Sequence, residues 1–140
     1  MKVNELVQRY GPIVGRILLA AIFIVAGMNK LLNFGGTVAY MESAGLPMVE
    51  VLLVATIVIE LGGGLMIALA WNARWAALAI FLFIIPVTLI FHDFWTVEGQ
   101  EMQNQLNHFM KNLAIMGGML YVIVMGSGPY SGSGAVPAGP

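Results

Sequence analysis

Residues 48–71 read as one apolar run of membrane-spanning length, interrupted well inside it only by Glu60. Lipid offers no water to backbone N–H and C=O groups, so a run of this kind crosses as a helix that satisfies them internally. A carboxylate near the middle of a hydrocarbon span is costly unless it is paired, protonated or facing water. Glu60 therefore demands a partner or a wet cavity.

Composition extends the same constraint to the whole chain. Of 140 residues, 59% are hydrophobic and 9% charged, against about 25% charged in a soluble domain. An ordinary cytosolic globule is excluded. The length fits one domain, residues 1–126, followed by a Gly/Ser/Pro-rich tail at 127–140 that is expected to be flexible. The absence of cysteine excludes disulfides, thiol redox centres, iron–sulfur clusters and Cys-ligated zinc. The ten methionines do not cluster, and no metal site is expected. A net charge of -1 with no basic cluster gives no sign of nucleic-acid binding; the partner implied is the lipid bilayer. Lys2 and Arg9 ahead of an apolar run resemble a signal peptide. Residues 17–26, however, continue into Gly27-Met28-Asn29-Lys30 with no small-residue cleavage pattern, so an uncleaved helix is expected.

A spanning helix needs about 20 mostly apolar residues. Spans are expected at about 13–32, 49–71, 75–94 and 106–125, which makes the chain an all-α membrane protein, a four-transmembrane-helix bundle. Pro86 inside the third is expected to kink it. Lys2, Arg9, Arg16 and Arg74 lie at one end of the spans, while Glu42, Glu50, Asp93, Glu98 and Glu101 lie in the other links. Positive-inside counting then predicts that both termini are cytoplasmic. The apolar part of the fourth span, 113–125, would cover only about 20 Å of a core about 30 Å thick. That helix must start near Leu106, which carries His108, Lys111 and Asn112 into the outer leaflet.

Polar groups from all four helices thus converge on the outer half: Lys30, Glu60 with Thr56 one turn away, His92 and Asp93, then His108, Lys111 and Asn112. The last three share one helical face. Lys111 and Glu60 differ in depth by about 7 Å, within reach of a lysine side chain, so Glu60–Lys111 is the expected ion pair and Lys30 its competitor. Glu60, Lys111 and His92 are the candidates for proton handling, and Lys30, His108 and Asn112 for ligand contacts. The two histidines invite a bis-His haem site, but no spacing motif supports one. Gly62-Gly63-Gly64 and Gly117-Gly118 are expected to admit close helix packing, with Gly11 and Gly15 a weaker instance.

At these residues the chain resembles a known family. Phe23-Ile-Val-Ala-Gly27-Met-Asn-Lys30, Ala44-Gly-Leu-Pro47, Ile59-Glu60-Leu-Gly-Gly63-Gly64, His92-Asp-Phe-Trp95 and His108-Phe-Met-Lys111-Asn112 occur in that order. Together they resemble the DoxX family of small four-span bacterial membrane proteins, over about residues 13–130. The resemblance implies a bacterial inner membrane as the location, Lys30, Glu60, His92, Lys111 and Asn112 as a polar core, and an association with membrane redox assemblies and quinones. The chain departs from the family pattern after Tyr130-Ser131, where Gly-Ser-Gly follows.

The function expected is therefore an accessory or quinone-interacting subunit of a membrane redox assembly. The outer polar cluster would bond a quinone carbonyl and relay protons, and a partner or bound cofactor would carry the electrons. A scaffold or assembly factor, with the polar cluster as internal glue and a membrane-protein partner or homo-oligomer around it, is the alternative. A small transporter or proton pathway is the third reading.

Overall fold

A computed structural model describes Lys2–Gly128; nearly all of the expected tail, 127–140, lies outside the described residues. Four helices among them are long and apolar enough to cross a bilayer, and no strand occurs among them. The fold is all-α. Helix α1 (Val3–Leu32) has 30 residues, about 45 Å of helix against a hydrocarbon core of about 30 Å, so part of it projects beyond the core.

The first link, expected only as a connection, contains a second helix, α2 (Phe34–Ser43). Its Met41 packs with Val49, Leu53 and Ile57 in a small apolar cluster, and Tyr40 stacks on Phe91 with ring centroids 5.5 Å apart. Gly35-Gly36 and a length of ten residues hid this helix from a hydropathy reading.

The second span is a composite: α3 (Val49–Ile57), a π-helical turn (Val58–Gly62) and α4 (Gly63–Ala68). A π turn closes i→i+5 bonds, which widens the helix and re-aims its side chains. The link that follows turns tightly through Ala70 and Asn72, both at positive φ. Helix α5 (Ala73–Phe91) continues through Pro86, and a short 3₁₀ turn covers Phe94–Thr96. Helix α6 (Gly99–Met125) starts seven residues before Leu106. Its polar first turns are supported by side-chain amide bonds one turn apart: Gln100 to Asn104 at 3.1 Å, Gln103 to Asn107 at 3.2 Å and Gln105 to Glu101 at 2.7 Å.

Helix α1 packs on α3, the π turn and α4; α4 packs on α5, and α5 on α6. Between α1 and α6 the contact is slight. One end of the bundle carries α2 and the start of α6, the other both described termini. The core is built from small residues with a few branched ones: Ala20, Gly27, Gly63, Gly64, Ala76 and Ala77 around Ile67, Ile80 and Ile84. Large apolar side chains such as Leu18, Val58, Leu82 and Val124 face outward, as a lipid-facing surface requires.

The glycines divide into two groups. A methyl built on Gly27 would lie 2.8 Å from the backbone nitrogen of Leu61, and one on Gly64 3.2 Å from that of Ile24. These two positions bring α1 against the second span. Gly15, Gly62 and Gly117 have nothing within 4 Å, so only some members of each glycine run pack: Gly63 and Gly64 in the first and Gly118 in the second. Gly27→Ala is expected to destabilise by about 1–3 kcal/mol through overpacking against backbone. Gly15→Ala should be neutral or stabilise by about 0.4–1 kcal/mol, by restricting the unfolded chain. Thermal unfolding of the two variants in one detergent checks the contrast; equal losses would contradict it.

Candidate functional site

Glu60 lies at the centre of the π turn and is 7% exposed. Its Oε2 is 2.8 Å from the Nζ of Lys30, in both hydrogen-bond and ion-pair geometry. The glycine contact explains the pairing. Gly27 meets Leu61, the neighbour of Glu60, and Lys30 is three residues beyond Gly27 on the same face of α1. The close approach of the two backbones therefore sets the lysine over the carboxylate. Lys30 retains 29% exposure of its side chain. It also borders a cleft of about 600 Å³, shared with Asn29, Asn33 and Thr37, between the end of α1 and the start of α2.

The expected Glu60–Lys111 pair does not form. Helix α6 packs along α5 and does not contact α3 or the π turn among the described residues, so depth alone misjudged the partner. Lys111 is exposed, and its Nζ donates to the Nδ1 of His108 at 3.1 Å.

His108 and His92 stack with ring centroids 5.0 Å apart and planes 21° apart. The hydrogen-bond network assigns the tautomers. Gln105 donates its Nε2 to Glu101, which leaves Gln105 Oε1 to accept from His92 Nδ1 at 2.9 Å. His92 thus carries its proton on Nδ1 and presents Nε2 as an acceptor. In His108, Nδ1 accepts from Lys111, so a neutral ring carries its proton on Nε2. Two stacked imidazoles therefore offer one acceptor and one donor side by side. Face-to-face stacking leaves no room between them for a macrocycle, so they do not form a bis-His haem site. No group of three His, Cys, Asp or Glu residues that could hold a metal ion occurs among the described residues.

An apolar wall adjoins the pair. Phe94, Trp95 and Phe109 meet edge to face, with centroids 5.3 to 6.2 Å apart. Asn112 is buried and donates its Nδ2 to the hydroxyl of Thr88 at 2.9 Å, which ties α6 to α5 inside the apolar core. Asp93 accepts from the hydroxyl of Thr96 at 2.9 Å within its own turn.

The polar residues thus form two groups. Lys30 and Glu60 join α1 to the π turn, and His92, His108 and Lys111 gather on α5 and α6. Gln105, Glu101 and Thr88 are participants the sequence reading missed. Positions 101, 105, 108 and 112 are spaced by four, three and four residues, the stripe of one helix face. The stripe becomes visible once α6 is allowed to start at Gly99 rather than at Leu106.

The pairing gives an ordered set of outcomes. Lys30→Met leaves a buried carboxylate without its cation, at a cost of about 1–3 kcal/mol after discounting for the partial exposure of the lysine. Glu60→Gln should cost less, since the released ammonium can reach water. Lys111→Met should change stability by no more than about 0.5 kcal/mol, as for a surface substitution. Unfolding midpoints in bilayer nanodiscs measure all three; a larger loss for Lys111→Met than for Lys30→Met would contradict the pairing.

Comparison with known proteins agrees with this architecture. The DoxX family model matches residues 11–93, which include Lys30, Glu60 and His92 and stop short of His108, Lys111 and Asn112. The inner membrane protein YqjF of Escherichia coli (strain K12) is 40% identical over 121 residues, 86% of this chain and 88% of the relative. The inner membrane protein YphA of the same organism is 30% identical over 119 residues, 85% of each chain. No solved structure matches. With four helices of spanning length and relatives of this kind, the protein is a multi-pass inner-membrane protein. By the family model and by relatives that align over most of its length, the chain belongs to the DoxX family.

Proposed function

We propose that this protein is an accessory, quinone-interacting subunit of a membrane redox assembly, and that the ligand meets it at His92, His108 and Lys111. The observation that carries the reading is the stacked histidine pair, with an acceptor Nε2 beside a donor Nε2–H. A quinone presents planar carbonyl acceptors, and its quinol presents hydroxyl donors. The donor nitrogen of His108 suits the oxidised form and the acceptor nitrogen of His92 the reduced one. Lys111 stabilises negative charge developing on a quinone oxygen and reprotonates His108 through Nδ1. Phe94, Trp95 and Phe109 give the apolar ring a surface to lie against.

The two electrons and two protons that separate quinone from quinol have different sources. A redox partner handles the electrons. In reduction His108 delivers one proton, replaced from Lys111, and in oxidation His92 takes one. The other proton in each direction is exchanged with solvent. In this reading Glu60 and Lys30 hold α1 on the second span, and Asn112 holds α6 on α5. In the same reading both termini are cytoplasmic and the histidine pair lies on the opposite side, an orientation supported by Lys2, Arg9, Arg16 and Arg74 at one end of the spans.

A scaffold without chemistry of its own is the second reading. It is favoured by the internal satisfaction of Lys30–Glu60 and Asn112–Thr88, two bonds that bind helices to one another. Quinone binding separates the two. Lipid extracts of the purified protein should contain quinone, and a short-tailed quinone analogue should raise the unfolding midpoint. Ligand at 100-fold over Kd corresponds to about 2.7 kcal/mol of stabilisation. His92→Ala and His108→Ala should each remove most of that shift, and Lys30→Met should leave it. A protein that retains no quinone and shows no shift contradicts the quinone reading, and a specific large partner retained after mild extraction would then support the scaffold.

A further inference from the structure

A second cleft lies at the other end of the bundle, away from His92, His108 and Lys111. Helices α1 and α6 touch only slightly, and between them opens a cleft of about 400 Å³. Gly15, Arg16 and Leu19 form one wall, and Gly118, Tyr121 and Val122 the other. The volume is in the range of ligand sites, about 300–1,000 Å³, and the walls are almost wholly apolar. The exception is Arg16.

Arg16 is 6% exposed, and no carboxylate is paired with it among the described residues. Its Nη1 donates to the carbonyl of Ser127, just beyond the end of α6. Arg74 assists there, donating its Nη2 to the carbonyl of Val124 at 3.3 Å. The last turn of α6 carries no cation of its own, so two guanidinium groups from other helices serve its exposed carbonyls. That accounts for one donor of Arg16. Its Nε–H is buried and has no hydrogen-bond partner among the described residues. A buried donor without a partner on a charged group is costly, and Arg16 borders a cleft that opens between two helices.

Depth agrees. Arg16 lies sixteen residues, about 24 Å, along α1 from Leu32. If Leu32 marks one edge of a hydrocarbon core about 30 Å thick, Arg16 lies a few ångström inside the other. A lipid phosphate can meet a guanidinium there, and its acyl chain then runs back along the helices. Gly15 leaves the path open, since nothing lies within 4 Å of where its Cβ would be.

We propose that the α1–α6 cleft binds an anionic phospholipid, with its phosphate on the guanidinium of Arg16 and an acyl chain between Gly15 and Val122. Guanidinium and phosphate match in charge and in planar donor geometry. The cleft supplies the apolar surface that distinguishes a bound lipid from one in the surrounding annulus.

Native mass spectrometry of the detergent-purified full chain tests this. The protein is delipidated and incubated separately with phosphatidylglycerol and with zwitterionic phosphatidylethanolamine. Both lipids offer a phosphate, but the ammonium of phosphatidylethanolamine offsets its charge. Phosphatidylglycerol should therefore be retained about tenfold more beside an Arg16 that has no carboxylate partner among the described residues. Arg16→Gln should abolish the preference. Because Arg16 also holds the end of α6, that variant could fail to fold, and Gly15→Trp then decides. Its side chain enters open space and should displace the lipid without unfolding the bundle, checked by an unchanged helical circular dichroism spectrum. Equal retention of the two lipids by the unsubstituted protein would overturn the proposal, as would full phosphatidylglycerol retention by folded Gly15→Trp. Deletion of residues 129–140 should leave retention unchanged. If phosphatidylglycerol binds only after that deletion, the chain's own C-terminal segment is the occupant, and the proposal fails.

Discussion

One ion pair in an apolar bundle organises this protein. Glu60 is tolerable at mid-span only because Lys30 reaches it, and Lys30 reaches it only because α1 and the second span touch backbone to backbone. Gly27 makes that approach, at a point where any side chain would meet the backbone of Leu61. The π turn supplies the other half: it widens the helix at the carboxylate, next to the glycines that let α4 pack closely. Dispersion between small residues brings the helices together, and the ion pair fixes their register.

The remaining polar residues follow from the packing order. Because α5 separates α6 from the second span, the polar face of α6 meets α5 rather than Glu60. Asn112 and Thr88 join the two helices in the interior. Nearer the α2 end, His92 and His108 stack where more of each side chain is accessible. Burial thus divides similar residue types by role. Asn112 and Thr88, deeply buried, satisfy each other within the bundle, and the histidine rings are the more accessible pair.

The architecture was legible because lipid leaves few choices: hydropathy and the need to satisfy every backbone group specify four helices. Lys30, Glu60, His108, Lys111 and Asn112 were legible as polar residues too, since each lies in or at the end of an apolar span. Their pairing was not. Depth places Lys30 and Lys111 both within reach of Glu60, and only the azimuth of each helix in the bundle chooses between them. That azimuth depends on Gly27 and on the π turn, neither of which has a periodic signature. Helix α2 was hidden by Gly35-Gly36, and Gln105 and Glu101 by a span boundary drawn from hydropathy where the helix continues into polar residues. Arg16 counted in the sequence only as a positive charge; that its Nε has no partner among the described residues needed coordinates.

The most direct test of this account is magic-angle-spinning NMR of the protein in lipid bilayers, with ¹⁵N-labelled lysine side chains and ¹³C-labelled glutamate carboxylates. The account predicts one strong lysine–glutamate dipolar contact, corresponding to the 2.8 Å approach of Lys30 and Glu60. That contact should vanish in Lys30→Met and persist in Lys111→Met. A contact that survives loss of Lys30 and disappears with Lys111 would contradict it, and would place α6 against the second span.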